Sequence, residues 1–331
     1  MRSRQVHRFG PDDAADVAAA MRMEDEIALV DSPWLHPQTL SQYTTMLRRG
    51  WDGEPPSAHL GTVGGVPVAV AFLILPERDN RHLAEVSLGV HPDARRRGHG
   101  RAMAEHLLAI ARGAGRTILS ASGWDSEAAV GFAQRFGLER RSAEIMRRQH
   151  LQELPSAAVD GAYDEAAAAA ADYELLRVPG RTPPALVDDM VGLVAAINDA
   201  PTDDLDVEDE VFSAERLAAY EDIVLARGDR LYRLVARHRD SGELAGHSVV
   251  VVDGERPTIG EQDDTAVARS HRGHRLGLLL KAGMVRWLAD AEPQLATIDT
   301  WNAESNRHMI AVNERLGYRV LGRQLHFQRS L

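Results

Sequence analysis

The chain has 331 residues, of which 44% are hydrophobic and 26% are charged, a composition typical of globular proteins. It contains no cysteine, which excludes a thiol nucleophile, a disulfide scaffold and a zinc site built on cysteine. The formal net charge of −11 argues against general electrostatic attraction to nucleic acid.

The first twenty residues contain no apolar run long enough for a signal peptide or a membrane span. The apolar run Ala69–Pro76 is too short to cross a bilayer and predicts a buried strand. We therefore expect a cytoplasmic protein without a membrane partner.

In the first half, the pattern predicts a strand at Gln5–Phe9, a helix at Asp12–Val30 and a glycine-turned hairpin over Ala58–Leu75. Residues 155–171 are rich in alanine and predict a linker or a lone helix.

In the second half, we predict a strand at Tyr173–Val178, followed by helices around Pro184–Asn198 and Ala214–Arg227. Three further strands follow, of which the last ends at Val267.

Two segments of the chain, Val86–Leu108 and Asp264–Leu288, share one pattern: alternating apolar residues, a loop rich in Arg, Gly and His, and an amphipathic helix. Arg95 and Arg272 are 177 positions apart, and Gly137 and Gly317, at the ends of a later helical run, are 180 positions apart. Such a near-constant offset indicates a duplicated domain. We predict an N-terminal domain at residues 1–150, a linker at 151–171 and a C-terminal domain at 172–331.

The loop after the repeated strand is a candidate phosphate site in both copies. A strand that leads through a glycine-bearing loop into a helix presents unpaired N–H groups and the positive end of the helix dipole to one anion. A solvated basic turn is the alternative, which a single loop does not exclude. The loop residues are Arg95, Arg96, Arg97, Gly98, His99 and Gly100 in the first copy and Arg272, Gly273, His274, Arg275, Leu276 and Gly277 in the second.

These motifs resemble those of the GNAT N-acetyltransferases. The family's V-x-P-x-x-R-x-x-G-x-G signature matches Val90, Pro92, Arg95, Gly98 and Gly100; the second copy has Val267, Arg272 and Gly277 but departs from it at Arg269 and Arg275. The later motif N-x-x-A-x-x-x-Y-x-x-x-G falls on Asn306, Met309, Asn313 and Gly317, and on Ser126, Ala129, Ala133 and Gly137. The arrangement is similar to that of actinobacterial two-domain proteins such as mycothiol synthase.

The resemblance implies two tandem α+β folds, each with a mixed, mostly antiparallel sheet that splits between its fourth and fifth strands and is flanked by helices. It implies acetyl-CoA, or a related acyl-CoA, as acyl donor. The pantetheine arm would pair near Leu88 and Val90 or near Thr265 and Val267, the pyrophosphate would lie on the loop N–H groups, and Asn306 would border the cofactor.

The resemblance also implies a catalytic copy. The family's glutamate lies six residues before the motif valine, which gives Glu261 in the second copy and Ala84 in the first. In a regular strand, Glu261, Asp263, Thr265 and Val267 share one face. Glu261 has several acidic neighbours, so a solvated carboxylate at the end of a strand is the alternative.

The family's tyrosine is replaced by Asn313, which we predict to contact the thiol side, and by Ala133 in the first copy. We therefore predict chemistry in the second copy only. The sequence leaves open which loop binds the cofactor, because the first loop has both glycines and the second has Arg275.

The resulting hypothesis is an N-acetyltransferase that acts on the primary amine of a small molecule. The alternative is a non-catalytic acyl-CoA-binding or sensing protein. We expect no metal, because His271 and His274 lack a third ligand nearby, and either a monomer or a homodimer. The acidic stretch Asp199–Glu210 could border a cationic acceptor or be a solvated loop.

Overall fold

The computed structural model describes residues 4–331, which form two compact units. Unit 1 contains the chain up to residue 143, together with residues 203–208 and 322–331. Unit 2 contains residues 144–202 and 209–321. Each unit therefore includes residues from both halves of the sequence, whereas the predicted domains, 1–150 and 172–331, are continuous.

The strands of unit 1 form a mixed sheet in the order β1-β2-β3-β4-β5-β12. All pairs are antiparallel except β4 with β5, which pair in parallel only over Leu83–Val86 and Ile118–Ala121. Beyond Val86 the two strands separate, so the predicted split between the fourth and fifth strands is present. The strands are β1 (Arg4–Phe9), β2 (Ser57–Val63), β3 (Val66–Ile74), β4 (Leu83–Val90), β5 (Ile118–Trp124) and β12 (Arg319–Ser330). The strand β6 (Glu139–His150) begins in unit 1 and belongs to unit 2 from Glu144 onward.

The helices of unit 1 cover both faces of this sheet. Val17, Ala20 and Met23 of the first helix pack with Tyr43 and Leu47 of the second helix in one core, and Met103, Leu107 and Ala111 of the third helix pack in the other. This burial of an apolar stripe is what stabilises each helix. The helices are α1 (Ala14–Asp31), α2 (Leu40–Arg49), α3 (His99–Gly113) and α4 (Glu127–Arg135).

Unit 2 repeats this plan with the strand order β6-β11-β10-β9-β8-β7. Its parallel strands, β10 and β11, pair only where Ile259–Gln262 lies opposite Thr297–Thr300, so this sheet also splits. The strands are β7 (Tyr173–Pro179), β8 (Arg230–His238), β9 (Leu244–Val252), β10 (Ile259–Val267) and β11 (Thr297–Ala303); the helices are α5 (Ser156–Ala169), α6 (Val187–Val194), α7 (Ala214–Ala226), α8 (Leu276–Ala291) and α9 (Arg307–Arg315).

The two sheets have exchanged their last strands with respect to the sequence repeat. The part of β6 in unit 2 pairs antiparallel with β11, with Glu144 opposite Ala303. The corresponding strand of the second copy, β12, pairs with β5 in unit 1, with Gln324 opposite Trp124 and Ser330 opposite Ile118. Leu325 and Phe327 of β12 are buried in the core of unit 1. Each sheet is therefore completed by the strand of the other copy.

A second segment from the later half of the chain, residues 203–208, also belongs to unit 1. Asp203 accepts a hydrogen bond from the Ser142 hydroxyl at 2.6 Å, and the backbone N–H of Asp206 donates to the side chain of Gln328 at 2.7 Å. The backbone N–H of Glu208 donates to Asn80 at 2.6 Å. Part of the acidic stretch Asp199–Glu210 thus serves as a structural contact of unit 1.

Most of the predicted elements are present within a few residues of their expected bounds. The predicted linker contains α5, whose Val159, Ala162 and Ala166 are buried in the core of unit 2. The helix expected over Pro184–Asn198 is α6 with a 3-10 turn at each end. Within residues 4–331, no helix combines the length and the apolarity that a membrane crossing requires.

Candidate active site

Unit 2 contains a cleft of about 550 Å³ where β10 leads into α8. Thr265, Ala266 and Val267 of β10 form one side, and the loop from His271 to Gly277 forms the next. The first turn of α9, with Asn306, His308 and Met309, and the segment Ala196–Pro201 complete the lining. The cleft therefore lies beside the point where β10 and β11 separate.

The loop keeps its shape because Arg272 folds back onto the strand. Its Nε donates to the carbonyl oxygen of Val267 at 3.2 Å, and its Nη2 donates to Asp199 at 2.7 Å. Arg269 donates to the other oxygen of Asp199. The hydrogen bond from Arg269 and the charges of both arginines lower the pKa of Asp199. Arg272 is thus occupied by contacts within the protein.

The helix α8 begins at this loop with open space in front of it. Arg275, its N-cap, has the left-handed φ of 56°, and its guanidinium forms an ion pair with Glu165, which also pairs with Arg315. A Cβ added at Gly277 would meet no atom within 4 Å. The first N–H groups of a helix lack partners within the helix, so this glycine leaves room for an anion to approach them.

The loop of unit 1 has the same backbone arrangement but is covered. Arg95 donates from Nε to the carbonyl oxygen of Val90 at 3.1 Å and binds Asp31 through both Nη atoms, at 2.9 and 2.6 Å. Gly98, the N-cap of α3, has a φ of 82°. A Cβ at Gly100 would lie 3.2 Å from the ring of Phe132, so the space that is open at Gly277 is filled here.

Three carboxyl groups lie together on β10 of unit 2, and we call them the acidic recess: Glu261, Asp263 and Asp264. The Tyr220 hydroxyl of α7 donates a hydrogen bond to Asp263. Glu261 keeps contact with solvent, but dense protein surroundings and the neighbouring charge of Asp263 raise its pKa. Burial and Asp263 raise the pKa of Asp264 to about 7. The recess therefore holds carboxyl groups that can exchange protons near neutral pH.

Comparison with known proteins identifies the family. The model of the acetyltransferase (GNAT) family matches residues 23–138 and 195–318. The chain belongs to the GNAT family. It is therefore an acyltransferase with two GNAT units, as the sequence motifs predicted, and this family generally draws its acyl group from acetyl-CoA.

Solved structures agree with this assignment. A tandem GNAT protein from the clavulanic acid biosynthesis pathway is 27% identical to this chain, with a TM-score of 0.82, over 99% of this chain and 98% of that one. A GCN5-related N-acetyltransferase from Sphaerobacter thermophilus is 17% identical, with a TM-score of 0.66, over 99% and 95% of the two chains. Comparison with curated protein sequences gave no match.

The cleft of the second GNAT unit brings together most of the cofactor residues predicted for that copy: Thr265, Val267, Arg272, Gly273, Arg275, Leu276, Gly277 and Asn306. His274 lies outside the lining, and its ring stacks at a tilt with that of Tyr173, 5.5 Å away. Asn306 caps α9 by accepting a hydrogen bond from the backbone N–H of Met309 at 3.1 Å.

The first GNAT unit contains a cleft of about 480 Å³ between α1 and the ends of β4 and β5. Of the cofactor residues predicted for this copy, Leu88 alone lines it. Arg96 has a left-handed φ of 63°, and the carbonyl oxygens of Arg97 and Gly98 accept hydrogen bonds from Arg4 at 3.2 and 3.4 Å. His99 has a lowered pKa because of burial and the charges of Arg4 and Arg97. These contacts fix the loop within the protein.

The prediction that the side chains from Glu261 to Val267 alternate regularly and share one face of β10 is wrong, because the strand contains a β-bulge. Gln262 lies opposite Val250, whereas Thr265 lies opposite Ser248, so one extra residue falls between them and reverses the alternation. Thr265 shares a face with Gln262, and both approach the Ser248 hydroxyl, at 2.8 and 3.1 Å. Glu261 and Asp263 face α7 on the other side.

Asn313 does not line the cleft. It is fully buried, and its amide donates to Asn302 at 2.5 Å. Tyr318, which directly follows the motif glycine Gly317 and carries an acidic hydroxyl group, is 5% exposed and has the ammonium of Lys281 4.6 Å from its ring centre. The geometry gives neither residue support as a contact of the leaving thiol.

Sequence reasoning missed the aspartates that hold the two motif arginines. Asp31 lies 64 residues from Arg95, and Asp199 lies 73 residues from Arg272. Asp199 begins the acidic stretch that the sequence marked, whereas no local pattern distinguishes Asp31 at the end of α1.

Proposed function

We propose that the second GNAT unit transfers the acetyl group of acetyl-CoA, or a related acyl group, to the primary amine of a small molecule. The observation that carries this proposal is the open cleft at Gly277, which contrasts with the loop that Phe132 covers in unit 1. The relative from the clavulanic acid pathway supports a small-molecule acceptor.

The residues of the cleft fit an acyl-CoA. The N–H groups at the start of α8 and in the loop Gly273–Gly277 would hold the pyrophosphate, and Arg275 would add positive charge at the mouth. The edge of β10 at Thr265–Val267, which no longer pairs with β11, would hold the pantetheine arm as an added strand does. Acetyl-CoA, when bound, supplies an acyl group activated as a thioester.

The acidic recess would serve the acceptor. An ammonium ion must lose a proton before its nitrogen can act as a nucleophile, and a carboxylate with a raised pKa accepts that proton efficiently. Glu261 has such a raised pKa and keeps access to solvent, so we assign it as the base, directly or through water. Asp263, hydrogen-bonded to Tyr220, would hold the positive charge of the acceptor in place.

The test is release of free CoA from acetyl-CoA by the full chain, in the presence of a panel of primary amines. The expected result is release that depends on one class of amine and is lost when its nitrogen is tertiary. A calorimetric titration with acetyl-CoA accompanies it. Absence of both CoA release and acetyl-CoA binding at millimolar concentration would overturn the proposal, and binding without release for any amine would favour the sensing protein.

A further inference from the structure

A short 3-10 turn precedes the arginine- and glycine-bearing loop in each unit. In unit 2 it is Arg269–His271, which we call the β10 turn, and in unit 1 it is Pro92–Ala94, which we call the β4 turn. Each turn joins the end of its strand to the motif arginine of the loop. The shape of the turn therefore decides in which direction the N–H groups of the loop point.

The two turns have the same backbone geometry. The residue before the turn has φ and ψ of −55° and 138° in unit 2 and of −48° and 132° in unit 1. The motif arginine after the turn has −72° and 159° in unit 2 and −62° and 159° in unit 1. The closing hydrogen bonds also match: the N–H of His271 donates to Ala268 at 2.8 Å, and the N–H of Ala94 donates to His91 at 2.8 Å. Two different sequences therefore reach one shape.

The sequences differ in what can fix the first residue of the turn. Unit 1 has Pro92 at this position, and the proline ring fixes φ and prepares the backbone for a helical turn. Unit 2 has Arg269 there, which leaves the backbone free to adopt other conformations. The β10 turn therefore needs a support that the β4 turn has within its own sequence.

Asp199 makes the contact that can give this support. One of its carboxylate oxygens accepts a hydrogen bond from Arg269, and the other accepts one from Arg272 at 2.7 Å. Arg269 begins the β10 turn and Arg272 directly follows it, so the carboxylate bridges the two ends of the turn with charge-assisted hydrogen bonds. In unit 1, Asp31 accepts two hydrogen bonds from Arg95, after the turn. The contact with the first residue of the turn thus belongs to the unit in which the proline is missing.

The loop beyond the β10 turn has a backbone that requires such support. Gly273 and Arg275 have left-handed φ values of 92° and 56°, and this conformation is unfavourable for arginine. Unfavourable backbone conformations persist where the surrounding contacts hold them. Asp199 holds the beginning of the loop, and Glu165 pairs with Arg275 near its end. Asp199 also lines the cleft beside this loop.

We propose that Asp199 is a positioning residue for the acyl donor. By bridging the ends of the β10 turn, it does what the ring of Pro92 does in the β4 turn, and it keeps the N–H groups of the loop aimed at the pyrophosphate. This role rests on the proposed binding of acyl-CoA in unit 2. The negative charge of Asp199 acts against it, because a carboxylate repels a phosphate. The sign of a change in affinity therefore separates the support from the charge.

The experiment is a calorimetric titration of the full chain with acetyl-CoA, in wild type, Asp199→Asn, Arg269→Pro and the double variant. Asparagine keeps the shape of the side chain and removes its charge. Arg269→Pro gives the β10 turn the residue found in unit 1. The proline fits, because the hydrogen bonds that close the turn come from the N–H groups of His271 and Arg272, and because the residue before it already has an extended backbone.

The matched control is Asp222→Asn. Asp222 also pairs with an arginine of unit 2, Arg181, at 2.6 Å, but it does not line the cleft. Hydrogen exchange of the loop from Gly273 to Gly277 gives a second readout, because an aspartate that only stabilised the fold would not act selectively on these N–H groups.

We expect Asp199→Asn to bind acetyl-CoA about tenfold more weakly than wild type and to exchange the loop N–H groups faster. Asp222→Asn should bind like wild type. Adding Arg269→Pro to Asp199→Asn should restore most of the affinity and slow the exchange, because the proline fixes the turn without the carboxylate.

Tighter binding by Asp199→Asn would overturn the proposal, because it would show that the carboxylate competes with the phosphate. Unchanged binding, an equal loss in Asp222→Asn, or absence of recovery in the double variant would overturn it as well. If wild type binds acetyl-CoA, these outcomes leave the proposed function intact. Absence of binding by wild type at millimolar concentration would overturn both.

Discussion

Substitution of Gly277 by leucine should change stability and cofactor affinity in opposite directions. An added Cβ would meet no atom within 4 Å, so a side chain can start at this position without a clash and extend into the cleft that Gly277 lines. Replacing glycine by leucine in the interior of a helix stabilises it by about 0.5–1 kcal/mol, and Gly277, as the second residue of α8, should give part of that gain. The same side chain would fill the space in front of the first N–H groups of α8 and keep the pyrophosphate away. A loss of about 1.4 kcal/mol or more, equivalent to at least about tenfold in Kd, follows.

The assay combines urea denaturation with calorimetric titration of acetyl-CoA. Gly161→Leu is the matched control, because Gly161 also lies within a helix, α5, and has no atom within 4 Å of an added Cβ, but it is outside the cleft. The control should also gain stability and should bind acetyl-CoA normally. Unchanged affinity in Gly277→Leu would show that the cofactor does not use this cleft. The same loss in both variants would show that the weaker binding does not come from a side chain in the cleft.

The proposed base, the buried lysine and the exchanged strand can each be tested by altering the chain. Glu261→Gln should lower turnover by about 100-fold or more with unchanged acetyl-CoA affinity, whereas the exposed control Glu255→Gln should not; equal rates would remove Glu261 as base. Burial lowers the pKa of Lys281 to about 7. Below pH 7 the lysine is charged in both the folded and the unfolded state, so the folded state carries the full cost of a buried charge. This cost disappears as the pH approaches about 10.4, the pKa of lysine in the unfolded chain. Lys281→Met should therefore stabilise the protein at pH 7 by roughly 1–3 kcal/mol, a figure that allows for the lost contact with Tyr318. The gain should shrink towards about pH 10.4. A gain that does not change with pH would show that burial of the lysine charge is not its cause. Deletion of residues 322–331 should destabilise unit 1 more than unit 2 in hydrogen exchange, because Leu325 and Phe327 fill the core of unit 1; selective loss of protection in unit 2 would show that the strand exchange is incorrect.

The elements with a clear local pattern were predictable from the sequence. The helices α1 and α7 and the hairpin β2–β3 lie close to their expected bounds, because apolar periodicity and glycine turns act over a few residues. The exchange of β6 and β12 was not predictable. These strands occupy equivalent places in the two repeats, and nothing in the alternation of either strand indicates which sheet it completes.

The candidate site also has one part that was predictable from the sequence and another that was not. The loop from Arg272 to Gly277 was found because its glycine and arginine spacing is local. The open space at Gly277 and the ring of Phe132 over Gly100 depend on residues distant in sequence, so the sequence did not show which loop is free. The β-bulge after Gln262 changes the face of Thr265 without any glycine or proline to mark it.

The strand exchange has a consequence for biosynthesis. Most of unit 1 is translated before unit 2, but Ile118 of β5 pairs with Ser330 of β12, 212 residues later in the chain. Its sheet therefore stays incomplete, with an exposed edge on β5, for the whole time in which the second half is translated. Pairing between such distant residues is slow to form, and an exposed strand edge invites association with other chains. The nascent chain is consequently most vulnerable to aggregation in the interval between the synthesis of β5 and that of β12.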